Sequence, residues 1–211
     1  MLATELAGLL LRMRWQLSFV RDSSFLFFSP YFFPFDMESN VVLRRGAEAD
    51  LPQVLGLIQE LAEYEKAPDA VTNTLEAMQR DGFGPEPIYG FFVLENDAAQ
   101  IVGLALYYTA YSTWKGRMLY LEDLVVTEAA RRGGRGRLLF DAVVAEARAT
   151  GARRMKWQVL DWNEPAIAFY KKLGANIEGE WLNGNLDHAQ LAAYALAPAA
   201  VAVASPAGRS L

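Results

Sequence analysis

Two adjacent acids and a glycine-rich loop lie close together in residues 119–139. Glu122 and Asp123 interrupt an apolar run with strand character, and the segment RRGGRGR follows at residues 131–137. A strand that leads through glycines into a helix presents unpaired backbone N–H groups to one point, which is a site for an anion, most often a phosphate. Because the carboxylates lie one short strand upstream, phosphate binding and acid–base chemistry could act on one ligand.

The composition narrows the classes of function. The 211 residues suffice for one well-packed domain, and a hydrophobic content of 53% indicates a folded core. The net charge of −5 argues mildly against nucleic-acid binding and is compatible with a cationic small substrate. The sequence has no cysteine, which excludes disulfides and thiolate chemistry. His188 is the only histidine, so we predict no metal site.

The chain divides into three predicted regions. Residues 1–38 are apolar and aromatic but interrupted by charges, so we expect a poorly ordered N-terminal extension, with a membrane-surface or partner-binding segment as the alternative. No apolar run there approaches the roughly 20 residues of a membrane helix. Residues 39–196 carry the regular pattern of one domain, and residues 197–211 are predicted to be a disordered tail.

The regular pattern begins with a strand over residues 41–45. A helix follows from residue 51, and we assign its start to a capping box formed by Asp50 and Gln53. A second helix over about residues 74–80 is predicted to stop at Gly82. Three strands, a helix, a strand and a helix are then predicted at residues 89–95, 100–108, 117–126, 136–149, 155–159 and 163–173.

The remaining residues, to about 195, are predicted to supply one or two strands and a short amphipathic piece. Strands that alternate with helices, with an antiparallel hairpin in the middle, indicate an α/β domain with a mixed sheet.

Two motifs, in this order, resemble the GNAT family of N-acetyltransferases. Residues 131–136 fit the family's R/Q-x-x-G-x-G/A pyrophosphate loop, and NEPAIAFYKKLGA at residues 163–175 resembles its N-x-x-A-x-x-F/Y-Y-x-x-x-G-F/A helix. The stretches LAEYEKAPDAV, DGFGPEPIYG, YSTWKG and LYLEDL resemble the diamine (spermidine/spermine-type) and thialysine acetyltransferases. The resemblance covers about residues 43–194. It implies a single acyl-CoA N-acyltransferase domain with a mostly antiparallel twisted sheet flanked by helices, and acetyl-CoA as co-substrate.

The resemblance assigns two catalytic residues. A free alkylammonium has a pKa of about 10.4. At pH 7, roughly three pH units below this pKa, only a small fraction of the amine is in the neutral, reactive form. Glu122 occupies the position of the general base that takes this proton, and Tyr170 that of the general acid toward the CoA sulfur. The alternatives are a strand-end carboxylate paired with an arginine, and a core tyrosine that packs beside Phe169.

The resemblance also assigns residues to CoA. Gly134 and Gly136 would allow close backbone approach, and Arg135 departs from the apolar residue usual in the family. A solvated turn is the alternative for the loop, and Asn163 could equally cap a helix. The complete set of predicted CoA-binding residues is Leu124, Val125, Val126, Arg131, Arg132, Gly133, Gly134, Arg135, Gly136, Arg137 and Asn163.

The predicted acceptor site has an aromatic and acidic lining, which suits ammonium groups. It comprises Glu63, Tyr64, Trp114 and Asp123, with Glu65 as a further candidate; a solvated helix end and a packed loop are the alternative.

Two features leave the acceptor site open. Strict alternation would send Asp123 to the face opposite Glu122, unless the bulge that this family commonly carries on the strand changes the phase. Ser112 and Thr113 stand where polyamine-acetylating members have an acid.

The expected function is transfer of acetyl from acetyl-CoA to a primary amine of a small molecule, diamine, polyamine or thialysine-like, by direct attack. We expect a cytoplasmic homodimer that binds no nucleic acid and has no membrane span. The alternatives are an amino-acid or protein-amine acetyltransferase, and a non-catalytic CoA-sensing module. No G-K-[ST] follows the glycines, which argues against a P-loop nucleotide hydrolase.

Overall fold

A five-stranded sheet forms the middle of the domain in the computed structural model, which describes residues 40–195. The strands are β1 Val41–Arg45, β2 Gly90–Asn96, β3 Ile101–Ser112, β4 Gly116–Val126 and β5 Arg154–Lys156. They lie in the order β1-β2-β3-β4-β5, with β1 to β4 antiparallel and β5 parallel to β4. This mostly antiparallel mixed sheet confirms the predicted fold class. The predicted N-terminal extension and C-terminal tail lie outside the described residues.

Helices cover both faces of the sheet. In the described part of the chain they are α1 Leu51–Tyr64, α2 Leu75–Phe83, α3 Arg135–Ala149, α4 Glu164–Lys172 and α5 His188–Ala193. Buried residues of α1 and α2 form one apolar core with the sheet, and buried residues of α3 and α4 form a second core with it. Any residue of β4 can therefore be assigned to a face by the core in which it packs.

The interior strand β2 is apolar without alternation because both of its faces are covered. Phe91 and Val93 pack in the α1-side core, whereas Phe92 and Leu94 pack in the α3-side core. All four side chains are buried. A strand between two helical layers needs apolar residues at every position, which explains the run FFVL.

The predicted capping box at the start of α1 is wrong. Asp50 does not cap α1; its carboxylate accepts hydrogen bonds from both terminal nitrogens of Arg44, at 2.6 and 2.8 Å, and from the Ala47 N–H at 2.8 Å. The Gln53 side chain instead accepts a hydrogen bond from the Ile101 N–H at 2.9 Å. A charged guanidinium from β1 is the stronger partner for the acid, so a tertiary contact replaces the local one.

Gly82 does not end the second helix, contrary to the prediction. The helix continues to Phe83, and its C-cap Gly84 donates its N–H to the Arg80 carbonyl at 3.1 Å. A Cβ on Gly82 would lie 2.5 Å from the Tyr89 ring. Gly82 therefore allows an aromatic ring to pack against the helix.

The predicted strands near the C-terminus are shorter than expected or absent. β5 ends at Lys156, although Trp157 and Val159 continue to pack inward against the α3-side core. The alternation of apolar residues at these positions therefore reflects packing against the core, without hydrogen-bond pairing to a neighbouring strand. Within residues 175–195 the structure contains no strand; α5 is the only regular element of that segment. The segment is held beside β5 by side chains, including an ion pair of Arg154 and Glu178 at 3.7 Å.

We predict that Asp50→Asn lowers the free energy of unfolding by about 1–3 kcal/mol, since it weakens a charge-assisted pair and a backbone contact. Urea unfolding at pH 7 measures this effect. The bonds from Arg44 hold the pKa of Asp50 below its usual value, so the wild type loses this contribution as the pH falls through that lowered pKa. The exposed neighbour Glu48, changed to Gln, is the control; an equal loss there would contradict the assignment.

Candidate active site

β4 contains one residue more than its partner strand at the position of Glu122. Leu106 of β3 pairs with Asp123, and the next residue, Tyr107, pairs with Leu121. Glu122 thus has no partner of its own in the ladder. A β-bulge of this kind sets two residues against one and changes the phase of the strand.

The bulge brings both carboxylates to the α1 side of the sheet. Leu121 packs in the α3-side core, whereas Val125 packs in the α1-side core, so the phase changes between them. Asp123 lies opposite Leu106, which also belongs to the α1-side core. The sequence left the face of Asp123 open, and the bulge places it on the α1 side. Glu122 is exposed at the bulge, and Asp123 is half-buried beside it.

Negative charge accumulates around the bulge. Burial, followed by the charges of Glu122 and Glu65, raises the pKa of Asp123 to about 6. Burial also raises the pKa of the Tyr108 and Tyr120 phenols, and the charge of Glu122 adds to both effects. An ionised carboxylate in a partly desolvated site beside other acids, as Asp123 is, is stabilised by a cation such as the ammonium group of an amine.

The chain between β4 and α3 forms a left-handed loop. The φ angles are 110° at Arg132, 60° at Gly133 and 76° at Gly134, and α3 begins at the next residue. Glycine adopts such angles at no steric cost, whereas an arginine does so only when its surroundings impose them. The first N–H groups of α3 have no acceptor within the helix, so the loop and the helix start together offer donors to an anion.

Arg135 and Arg137 are both held by partners within the chain. Arg135 is buried, and its guanidinium donates a hydrogen bond to the Ala130 carbonyl at 2.9 Å. This bond links the preceding turn to the first turn of α3 and accounts for an arginine where the family has an apolar residue, because the aliphatic part of the side chain is buried. Arg137 forms an ion pair with Asp141 at 2.7 Å, one helical turn later.

The fold itself does not require a glycine at Gly136. It lies in the first turn of α3 at ordinary φ, and a Cβ placed on it would meet no atom within 4 Å. The open space lies at the backbone of the helix start. A ligand that approaches this backbone closely would need the glycine, so the loop fits a diphosphate.

β5 ends before β4 does. Their last paired residues are Tyr120 and Lys156, and β4 continues for six more residues without a neighbour on that side. This edge of β4 is therefore unpaired beyond the end of β5, and this gap between β4 and β5 begins next to the bulge at Glu122.

Backbone groups of β4 are directed into this gap. The Thr127 N–H donates to the Val102 carbonyl at 3.0 Å, toward β3. The carbonyl of Val126 instead accepts a hydrogen bond from Arg131 Nε at 3.1 Å. Because successive residues of a strand direct their backbone groups to opposite sides, those of Leu124 and Val126 point away from β3. A ligand in the gap could pair with them.

Tyr170 lies in an aromatic cluster of the α3-side core. Its ring centroid is 4.9 Å from that of Trp157, 5.2 Å from Phe169 and 5.9 Å from Phe140. Burial raises the pKa of Tyr170 to about 12. Within residues 40–195 the Tyr170 hydroxyl forms no hydrogen bond, and no buried polar side-chain atom lacks a partner, so this hydroxyl reaches solvent.

The end of α1, the start of α4 and the glycine loop meet at one point. Asn163 caps α4 by accepting a hydrogen bond from the Ala166 N–H at 3.3 Å. The Tyr64 hydroxyl donates to the same Asn163 side-chain oxygen at 3.2 Å, and the Arg131 guanidinium lies 5.3 Å from the centre of the Tyr64 ring. Predicted CoA-binding and acceptor-binding residues are thus in direct contact.

Four residues of the site were not identified from the sequence. The Trp162 ring lies 6.0 Å from that of Tyr64, with the Lys66 ammonium 4.8 Å from its centre. Tyr108 and Tyr120 flank the bulge on neighbouring strands. Trp162 directly precedes the NEPAIAFY motif, and this position was a usable signal; the two tyrosines become neighbours of Glu122 only through strand pairing.

Two predicted acceptor residues are not brought to the carboxylates. Trp114 is 84% exposed at the β3–β4 hairpin, where it lines a crevice of about 720 Å³ with residues such as Trp181. Six residues of strand, or about 20 Å, separate Gly116 from Glu122. Glu63 is exposed in the last turn of α1, and it is Glu65 whose charge acts on Asp123.

The sequence profile of the Acetyltransferase (GNAT) family matches residues 55–175. The chain belongs to the GNAT acetyltransferase family. The thialysine N-epsilon-acetyltransferase of Bos taurus is 43% identical to it over 142 residues, which cover 64% of this chain and 84% of the bovine protein. Spermidine/spermine N(1)-acetyltransferase-like protein 1 of Homo sapiens is 36% identical over 139 residues, 63% of this chain and 20% of that longer protein.

A solved structure supports the GNAT fold. An aminoglycoside acetyltransferase from an uncultured soil metagenomic sample superposes with a TM-score of 0.59 at 20% identity, covering 70% of this chain and 95% of that one. The predicted resemblance is confirmed, and the GNAT protein is an acetyl-CoA-dependent N-acetyltransferase. Among the helices of residues 40–195, none has the length and apolar character needed to cross a membrane.

We predict that Asp123→Asn stabilises the GNAT domain above pH 6. The raised pKa means that ionised Asp123 destabilises the folded state, and this penalty is present above about 6 and disappears below about pH 4, where the carboxyl is protonated. The melting temperature of the variant should exceed that of the wild type at pH 8 and equal it at pH 4. Asp97→Asn, in an exposed turn, controls for the loss of one charge, and a gain that persists at pH 4 would refute the electrostatic cause.

Proposed function

We propose that this GNAT enzyme acetylates a primary amine of a small molecule of the thialysine or diamine type. The observation that carries the proposal is the bulge at Glu122, which puts an exposed carboxylate and a half-buried one on the same face at the start of the gap between β4 and β5. A pair of acids in that position attracts an ammonium group and supplies a base for it. The names of the relatives agree with an amine acceptor.

The proposed CoA site runs from the gap to the start of α3. Backbone groups of Leu124 and Val126 would pair with the extended part of CoA as an added strand does, while Val125 pairs with β3. The loop amides, with Arg131, Arg132 and Arg137 nearby, would bind the diphosphate. When bound, acetyl-CoA supplies the acetyl thioester.

Glu122 would act as the general base. It takes a proton from the bound ammonium, directly or through water, and the neutral nitrogen then attacks the thioester carbonyl. A new N–C bond forms as the C–S bond breaks, and the sulfur leaves as a thiolate. The bulge leaves the Glu122 side chain exposed, so it is accessible to a proton from the acceptor.

Tyr170 would act on the leaving sulfur. Its pKa of about 12 keeps the phenol protonated throughout the neutral range, so a donor is always present. Because a thiol has a pKa of about 8.5, the phenol holds its proton more tightly than the thiol does. Tyr170 therefore stabilises the thiolate by a hydrogen bond, and solvent completes the protonation.

The acceptor site in this proposal comprises Asp123, Glu65 and Tyr64, near the end of α1. Glu63 is a peripheral member, and Trp114 is too far along β4 to contribute within its own chain. The absence of an acid at Ser112 and Thr113 favours a short or zwitterionic amine over a long polyamine, whose second charge would need such a partner.

Two further proposals concern the whole protein. A homodimer is supported by the resemblance to this branch of the family and by the exposed apolar side chains of Trp114, Trp181 and Leu182. A cytoplasmic location is supported by the resemblance alone.

Gly136→Ala tests the CoA site. The added methyl group meets no protein atom, and alanine favours the helix, so the melting temperature should stay equal or rise. The Kd for CoA should rise at least about tenfold, as measured by calorimetry, because the methyl group occupies the space at the helix start. Gly56→Ala, another helical glycine with open space around it, is the matched control. Unchanged CoA binding by the Gly136 variant would argue against the loop as the diphosphate site.

The function is tested by thiol release from acetyl-CoA against thialysine, lysine, ornithine, putrescine and spermidine. We expect a higher kcat/KM for the short or zwitterionic amines of this panel than for spermidine. Absence of turnover with all five would reject the proposed acceptor class.

Glu122→Gln tests the general base. It should lower kcat/KM by about 10²–10⁴, most strongly at low pH, where few amines are already neutral. Glu86→Gln, an exposed acid in a loop, should have no effect, and an equally small loss at every pH would assign Glu122 a structural role.

A further inference from the structure

Two tyrosines form a stacked pair directly beside the bulge. Tyr108 of β3 and Tyr120 of β4 are opposite each other in the ladder, with ring centroids 5.2 Å apart and planes inclined by 23°. Tyr107, the preceding residue, packs in the α3-side core, so the stacked pair lies on the α1 side, the same side as Asp123. Both rings are half-buried, and each restricts the rotation of the other.

The two hydroxyls differ in their relation to Glu122. The register of β3 with β4 places Tyr108 near Glu122 on the same face of the sheet, where its hydroxyl can be directed at the Glu122 carboxylate and experiences its charge. Tyr120 feels only the charge of Glu122 and has no hydrogen bond with it. The remaining charged or titratable group acting on this part of the site is Glu65, from the end of α1, through Asp123. Tyr108 thus places a neutral hydrogen-bond donor beside these acids.

Glu122 needs such a partner if it is to act as a base. It is exposed, and as the extra residue of the bulge it has no cross-strand neighbour that would fix its side chain. An unrestrained glutamate samples several rotamers, and a misplaced base costs rate even when it is ionised. A carboxylate has about four acceptor positions, so one bond from a phenol leaves others free for the proton of the amine.

We propose that Tyr108 is a positioning residue that orients Glu122, with its own ring held by the stack on Tyr120. The inference rests on the proposed function, because it assumes that Glu122 receives the proton of an amine. Burial and the charge of Glu122 both raise the pKa of Tyr108 above its usual value, so the phenol stays protonated and remains a donor throughout the neutral range.

The chain offers a matched pair of variants. Tyr108→Phe keeps the ring and the stack but removes the hydroxyl that faces Glu122. Tyr120→Phe also keeps the stack and removes a hydroxyl that has no bond to Glu122. We expect kcat/KM for the amine to fall about tenfold in the first variant and to stay within about twofold in the second, with the KM for acetyl-CoA unchanged in both. Equal losses in the two variants would reduce Tyr108 to a packing role and overturn the proposal.

A double-mutant cycle tests whether Tyr108 acts through Glu122. In a Glu122→Gln background, Tyr108→Phe should cause no further loss of kcat/KM, because there is no base left to orient. A second, full tenfold loss in that background would show that Tyr108 acts independently of Glu122.

A readout without turnover separates this inference from the proposed function. In protein labelled with ¹³C at tyrosine Cζ, the resonance of Tyr108 is assigned by its loss in Tyr108→Phe. Its titration midpoint should fall in Glu122→Gln, and by more than that of Tyr120, because Tyr108 loses both a charge and a hydrogen bond. An unshifted midpoint would refute the contact. The wild type could also release no thiol with any amine while the Tyr108 midpoint still shifts in Glu122→Gln. That result would establish the contact but reject the proposed function, and the positioning role with it.

Discussion

The extra residue in β4 is the constraint on which the site depends. Without it, strand alternation would place Asp123 with Leu121 in the α3-side core, where an unpaired carboxylate is costly. With it, the apolar residues on both sides of Glu122 keep their cores, and the two acids share one face. A single extra residue therefore lets the apolar side chains of β4 pack in their cores while both carboxylates lie on one face. The bulge also ends just where β4 loses its neighbour β5, so the acids lie beside unpaired backbone.

Two parts of the site offer backbone groups to a ligand. One is the gap between β4 and β5, and the other is the start of α3. Both present backbone groups that the regular hydrogen-bond pattern of the helix or sheet leaves unpaired, which a folded chain normally avoids. At the helix start this follows from helix geometry, and in the gap it follows from β5 being only three residues long. The left-handed loop joins the two sets of donors, and Arg135 fixes its shape from beneath through Ala130. An extended ligand with an anionic end matches this arrangement.

Much of the fold was predictable because its signals are local. Alternation, glycines and proline placed β1 to β4 and α1 to α4 to within a few residues, and the two motifs placed the loop and the helix of Tyr170. The failures came from partners that lie in another element of the fold. Asp50 had a local cap available and bound Arg44 instead, and Trp157 alternated like a strand residue while packing against Tyr170.

The candidate site divides in the same way. Glu122 and Asp123 were visible as polar residues in an apolar run, but the face they share depends on a bulge that alternation cannot show. Tyr108 and Tyr120 look like ordinary strand residues, since β-strands are rich in tyrosine. Their relation to Glu122 exists only in the register of β3 with β4, and register is a property of pairing.

Three positions of the candidate site break local rules. Arg132 has a positive φ that arginine rarely adopts, Gly136 is a glycine in a helix that has room for a side chain, and Asp123 is an acid held beside another acid. Elsewhere in residues 40–195 no buried polar side-chain atom lacks a partner. Each exception costs stability by a separate mechanism, and the cores of the domain do not need any of them. These positions lie between the bulge and the start of α3. An amine bound at the bulge and a coenzyme whose diphosphate is bound at the start of α3 would together account for them.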